Sequence, residues 1–130
     1  MAITAFKFFK NLSDVPVMLW NHENKPHKYE NILPGESRAI DEWVPHCHSK
    51  DRFDEDHFIE VRLIRQGGED TILTIWQRDT GGDDRVRFAK SSEQPRWEDP
   101  GTAVPGSSEV GGNRVLFLMQ DETLLVELSG

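Results

Sequence analysis

Cysteine is almost missing: Cys47 is the only one among 130 residues, so no intramolecular disulfide can form. That fits a reducing compartment, and a cytoplasmic location is expected. Long apolar runs are missing too, because no window approaches the roughly 20 apolar residues that a membrane-spanning helix needs. The first eleven residues alternate apolar side chains with Lys7 and Lys10, without the unbroken apolar stretch and small-residue cleavage site of a secretory leader. They read as a strand, and no membrane partner is expected. Positive charge is in deficit, with 15 Lys and Arg against 23 Asp and Glu and a net charge of −8. Tracking a phosphate backbone needs clustered Lys and Arg, so no nucleic-acid partner is expected.

Catalytic signatures are equally scarce. There is no Gly-x-Ser-x-Gly elbow, no phosphate-cradling glycine loop with a lysine, and no cofactor motif. Cys47 lies between His46 and His48, but neighbours on a strand point to opposite faces, so the imidazoles would look away from the thiol. The Asn11-Leu12-Ser13 acceptor pattern for glycosylation matters only on a secretory route, of which there is no other sign.

What the chain does have is alternation. No stretch sustains helical spacing of apolar positions, whereas strand-like runs recur between turn residues throughout. The expectation is a single all-β domain over residues 1–130, an antiparallel β-sandwich of eight to nine strands. Pro16 cannot donate to a ladder, so the strand it opens should start at an edge or with that position facing solvent. Pro34-Gly35 presets a type II turn, and Gly67-Gly68 supplies the positive φ of a tight hairpin. Phe58–Arg65 places Ile59, Val61 and Leu63 on one face, with Glu60 and Arg62 on the other. Val115–Gln120 and Thr123–Leu128 are nearly continuous in apolar content and read as central strands buried on both faces. A long irregular loop, rich in Ser, Pro and Gly, is expected over residues 90–113. Trp76 is expected in the core.

The densest group of ligand-type side chains is His46-Cys47-His48, followed by Asp51, Asp54, Glu55, Asp56 and His57. Two histidines at alternate strand positions share a face, which would suit a divalent metal in a small jelly-roll enzyme. The other reading is a solvated acidic loop with no metal, and that is the one expected here.

Asn11-x-Ser13, Trp20 at a strand end, Pro26, Tyr29, Leu33-Pro34-Gly35, Arg38, Ile40 and His46 together resemble the β-domain of the von Hippel-Lindau tumour suppressor over residues 11–48. That family holds a hydroxyproline-bearing peptide in an aromatic-lined pocket on a β-sandwich. The resemblance implies a pocket at Trp20, Tyr29 and His46. Glu42 stands at the family's serine position and His48 at a second tryptophan position, so a pocket is implied without its hydroxyproline specificity. The family's helical ligase-recruiting domain has no counterpart in this chain, and a ligase role is not implied. The expected function is therefore a non-enzymatic recognition module for a peptide, protein or small polar ligand, using Trp20, Tyr29, Glu42, His46 and His48. A carbohydrate-binding, lectin-like domain is the alternative, since sugars stack on exposed indoles and bond to Asp, Asn and His, groups that the loops around Asn21, His22, Trp97 and Asp99 offer.

Overall fold

Alternation of side chains along extended backbone sets the strands of the computed structural model, which describes residues 4–24, 27–47, 58–78, 86–91, 102–106 and 111–128. The strands are β1 (Thr4–Asn11), β2 (Val17–Asn21), β3 (Lys28–Ile32), β4 (Ser37–Trp43), β5 (His46–Cys47), β6 (Ile59–Leu63), β7 (Thr71–Arg78), β8 (Val86–Ser91), β9 (Thr102–Ala103), β10 (Gly112–Leu118) and β11 (Leu124–Leu128). Nine of them have five or more residues; β5 and β9 have two. A three-residue 3-10 turn at His22–Asn24 is the only helical element among the described residues.

The strands form two sheets packed face to face, the expected all-β sandwich. One runs in the order β11-β10-β1-β4, and the other in the order β3-β2-β6-β7-β8-β9 with β5 beside β7. Phe6 and Phe9 from the first sheet and Leu19, Val61 and Leu73 from the second meet in one fully buried cluster. Removing this apolar surface from water is the main stabilising term of such a domain.

Two pairings depart from a purely antiparallel plan: β1 with β10, and β5 with β7, are parallel. Parallel neighbours cannot be joined by a tight hairpin and need a long crossover. One hundred residues separate β1 from β10, which is ample. The β4 edge leads directly into the second sheet. The N–H of Val44 donates to Thr4 O at 2.8 Å, and Pro45 O accepts from the N–H of Gln77 at 2.9 Å. Pro45, with no N–H of its own, sits at the point where the chain changes sheets.

Parity within β1 is reset by a bulge. Its register with both β4 and β10 shifts between Phe6 and Phe8, so Phe6 and Phe9 both point inward while Phe8 is 43% exposed. An extra residue on one strand of a pair has this effect on every side chain beyond it.

The glycine turns hold in part, since the β6–β7 connection spans residues 64–70 and is not a tight hairpin, and the Gly35 turn joins strands of different sheets. Gly35 has φ of 83° and Glu36 N donates to Leu33 O at 2.9 Å, as a type II turn requires. Gly67 has φ of 73°. Ile59, Val61 and Leu63 are all fully buried on one face of β6.

Three expectations are corrected. β2 begins at Val17, one residue after Pro16, and lies inside its sheet between β3 and β6, which removes the edge alternative and leaves the proline just ahead of the strand. β10 and β11 are not buried on both faces. Arg114, Leu116 and Leu118 are buried while Val115 and Phe117 are only half-buried, and β11 ends the first sheet's strand order, because the outer face of that sheet stays partly open to solvent. The loop over 90–113 is also shorter than expected. Lys90 and Ser91 complete β8, Thr102–Ala103 pairs with β8, Val104 enters the core, and Gly112 opens β10. Trp97 and residues 92–101 and 107–110 lie outside the described residues.

Asn11 is fully buried where β1 ends. Its Nδ2 donates to Val15 O and Ile32 O, both at 2.9 Å, and its Oδ1 accepts from the N–H of Ser13 at 3.0 Å and from Ser13 Oγ at 2.6 Å. The acceptor pattern Asn11-x-Ser13 is thus an internal clasp, with the amide nitrogen committed to two carbonyls.

Candidate functional site

β4 and β3 lie at the margins of their respective sheets, so inward-pointing side chains on them meet across one open side of the sandwich. Ile40, Glu42 and Val44 are buried on one face of the β4 segment while Asp41 and Trp43 point away. Tyr29 lies opposite Leu19 in the β2–β3 ladder and packs against the main core. One end of this side is bridged by Arg38, whose guanidinium donates to Glu30 O at 2.6 Å and Asn31 O at 3.2 Å. The other end is bridged by Glu42. Its Oε2 accepts from Tyr29 Oη at 2.9 Å and lies 2.7 Å from His27 Nδ1. An ionised carboxylate only accepts, so in this pair Nδ1 carries the proton.

The Glu42 side chain is 0% exposed, and its second oxygen, Oε1, has no hydrogen-bond partner among the described residues. A buried polar atom left unpaired is costly, more so on a charged group. The Tyr29 phenol is pushed above its usual value, first by burial and then by the hydrogen bond and negative charge of Glu42. Tyr29 is therefore a firmly protonated donor to this carboxylate.

Beside Glu42 opens a cavity of about 400 Å³ lined by Asn21, Glu23, His27, Asp41, Glu42 and Trp43. Asn21 is buried, donates through Nδ2 to Trp43 O at 3.2 Å, and accepts on Oδ1 from the N–H of Glu23 at 3.1 Å. One side chain thereby fixes both the turn after β2 and the end of β4. Trp43 is 62% exposed. Asp41 accepts from Lys7 Nζ at 2.6 Å.

Of the residues expected to form a site, Tyr29 and Glu42 come together. Trp20 does not join them. It pairs with Lys28 in the β2–β3 ladder, one position along from Leu19 and Tyr29, and so occupies the other face of that sheet. There its ring lies 4.1 Å from the His22 ring, centroid to centroid, with Lys28 Nζ 4.9 Å from the indole centroid. His46 contributes backbone to β5, paired with Gln77; its side chain, and His48 entirely, lie outside the described residues, as do Asp51, Asp54, Glu55, Asp56 and His57. Among the described residues no group of three or more His, Cys, Asp or Glu is placed to hold a metal ion, and no helix is long and apolar enough to cross a membrane. His27, Asp41 and Trp43 were not expected at a site, and Asn21 was expected only among the loop residues of the carbohydrate-binding alternative. For Glu42 a signal existed, since the alternation Ile40-Glu42-Val44 puts a carboxylate where the pattern wants an apolar residue. For His27 there was none.

Behind Trp20, His22 Nε2 lies 2.9 Å from Glu60 Oε1, and Arg62 Nε donates to Glu60 Oε2 at 2.8 Å. Burial alone would raise the Glu60 carboxyl, but the His22 hydrogen bond and the Arg62 charge outweigh it and hold the group below the usual carboxylate value. A depressed folded value contributes stability above the unfolded value and loses it as the pH falls through the folded one. Glu60→Gln should therefore lower the urea midpoint at pH 7, and the gap from the unsubstituted protein should be smaller at a pH below the usual glutamate value of about 4.3. Equal gaps at both pH values would show that this carboxylate has no such linkage.

No family model, no curated protein and no solved structure matches this chain.

Proposed function

We propose that this chain is a recognition module without catalysis of its own, taking a peptide or small polar ligand into the cavity beside Glu42. The observation that carries this reading is Glu42 Oε1, a carboxylate oxygen buried in the wall of a cavity with no partner among the described residues. A cavity lined both by an unmet acceptor and by a residue with an exposed indole can supply orientation and contact area together. The resemblance to the von Hippel-Lindau β-domain supports the same side of the sandwich through Tyr29 and Glu42. A cytoplasmic setting is part of the proposal and rests on the lone cysteine. The exposed Trp43 beside Asn21 and Asp41 also suits a carbohydrate, which stacks on indole and bonds to amide and carboxylate groups.

The test is a two-dimensional amide and indole NMR titration against a peptide panel and a glycan panel. A ligand of either kind should shift the Trp43 indole signal saturably, and Trp43→Ala should weaken it at least about ten-fold with the melting temperature unchanged, because that side chain is exposed. A ligand whose affinity is indifferent to Trp43→Ala would overturn this location. Stoichiometric zinc binding in the submicromolar range, lost on replacing either His46 or His48, would replace the recognition reading with a metal-dependent enzyme.

A further inference from the structure

We infer that the ligand of this cavity presents a guanidinium group, as on an arginine side chain; the inference rests on the recognition reading above. Three of the six lining residues are carboxylates, Glu23, Asp41 and Glu42. Lys7 offsets Asp41 through its 2.6 Å contact, and the His27 ring faces Glu42 Oε2. Glu23 has no ion pair among the described residues, and Glu42 keeps Oε1 unmet. The walls thus hold more acceptors than donors, and the group they lack is a cation with several N–H donors.

Between the common organic cations, the surroundings favour the planar one. An ammonium is compact and strongly hydrated, and is costly to strip of water beside a buried carboxylate. A guanidinium is weakly hydrated, offers five donors in a fixed fork, and stacks on aromatic faces. Trp43, 62% exposed at the cavity wall, offers such a face. Oε1 meets no donor among the described residues and Glu42 lines the cavity, so a guanidinium bound there supplies the donor that this oxygen lacks. A neutral ligand would meet the same indole but would leave the carboxylates without a counter-charge. At a net charge of −8 the whole chain favours the approach of a cation.

The experiment follows the Trp43 indole signal during titration with Nα-acetyl-arginine amide, its neutral isostere Nα-acetyl-citrulline amide, agmatine, and the peptide Gly-Arg-Gly. The arginine derivative should bind saturably, citrulline at least about ten-fold more weakly, and affinity should fall as salt rises. Glu42→Gln should lose at least about ten-fold while keeping its shape. Should that variant unfold, the exposed pair Glu23→Gln and Asp41→Asn carries the test, with a several-fold loss expected and the salt dependence flattened. Tighter binding of agmatine supports a free small molecule as the source of the guanidinium, and tighter binding of Gly-Arg-Gly supports a peptide arm. Equal affinity for arginine and citrulline derivatives, or no saturable shift with any guanidinium, would overturn the inference. The recognition reading fails on separate results, either peptide and glycan panels that also leave Trp43 unmoved or the zinc site described above.

Discussion

Trp76→Ala should lower the unfolding free energy by about 3–5 kcal/mol, the usual cost of truncating a buried aromatic to alanine. The indole is 1% exposed and sits on β7, a strand flanked by β6 and β8 in the second sheet. Leu73 and Ile75 on the same strand belong to the main core, whereas Trp76 belongs to a separate cluster with Phe58, against which Ala89 packs. That separation decides the size of the effect. A cavity opened inside a large core can be partly filled by neighbours on many sides, whereas among the described residues the Trp76 cluster holds Phe58 and Ala89. Trp43→Ala is the matched control, since an exposed side chain away from the core usually changes stability by less than about 0.5 kcal/mol. Urea titration of the two variants should separate them widely; coincident midpoints would mean that Trp76 does not fill the place described.

The second large effect should come from Asn11. Removing its amide in Asn11→Ala takes the donor from two carbonyls, Val15 O and Ile32 O, and the acceptor from the amide and hydroxyl of Ser13. A buried polar group deprived of its partner costs about 1–3 kcal/mol, so with several stranded at once a loss of about 3 kcal/mol is expected. Asn11→Asp tests the geometry more sharply. It keeps the acceptor for Ser13 but turns a carboxylate toward two carbonyl oxygens, which raises the folded-state value of the new acid. The destabilisation should then be greatest at neutral pH and shrink as the pH falls through that raised value, because a protonated acid regains one donor. An Asn11→Asp protein as stable at pH 7 as the unsubstituted one would remove the clasp from the account.

The strands were legible in the sequence where local rules govern, and illegible where a distant partner does. The faces of β6 follow from simple alternation, and the turns at Gly35 and Gly67 from glycine chemistry. In β1, strict alternation would group Phe6 with Phe8, but the register with β4 and β10 inserts a bulge between them, and no property of the segment Thr4–Asn11 announces it. Pairing of β1 with β10 was invisible for a related reason, as hairpin logic joins neighbours only. At the site, Glu42 interrupts an inward-facing apolar series and could be read as exceptional. Its meeting with Tyr29 follows from both lying on sheet margins, a matter of strand order. The contact with His27 depends on where a turn residue comes to rest, which periodicity does not encode.

The parallel ladder between Thr4–Asn11 and Gly112–Leu118 also sets a timetable for folding. During synthesis β1 leaves the ribosome well before β10, one of its two neighbours, because one hundred residues lie between them. Closing so long a loop before any contact rewards it makes such topologies slow to form. Until then Phe6 and Phe9 have half of their sheet missing, and the nascent chain presents a bare strand margin of the kind that chaperones bind and that aggregation exploits. The second sheet, whose middle strands β6, β7 and β8 follow one another along the chain, can assemble first. The first sheet is then completed by a late docking of β10 and β11 onto β1, made long before them.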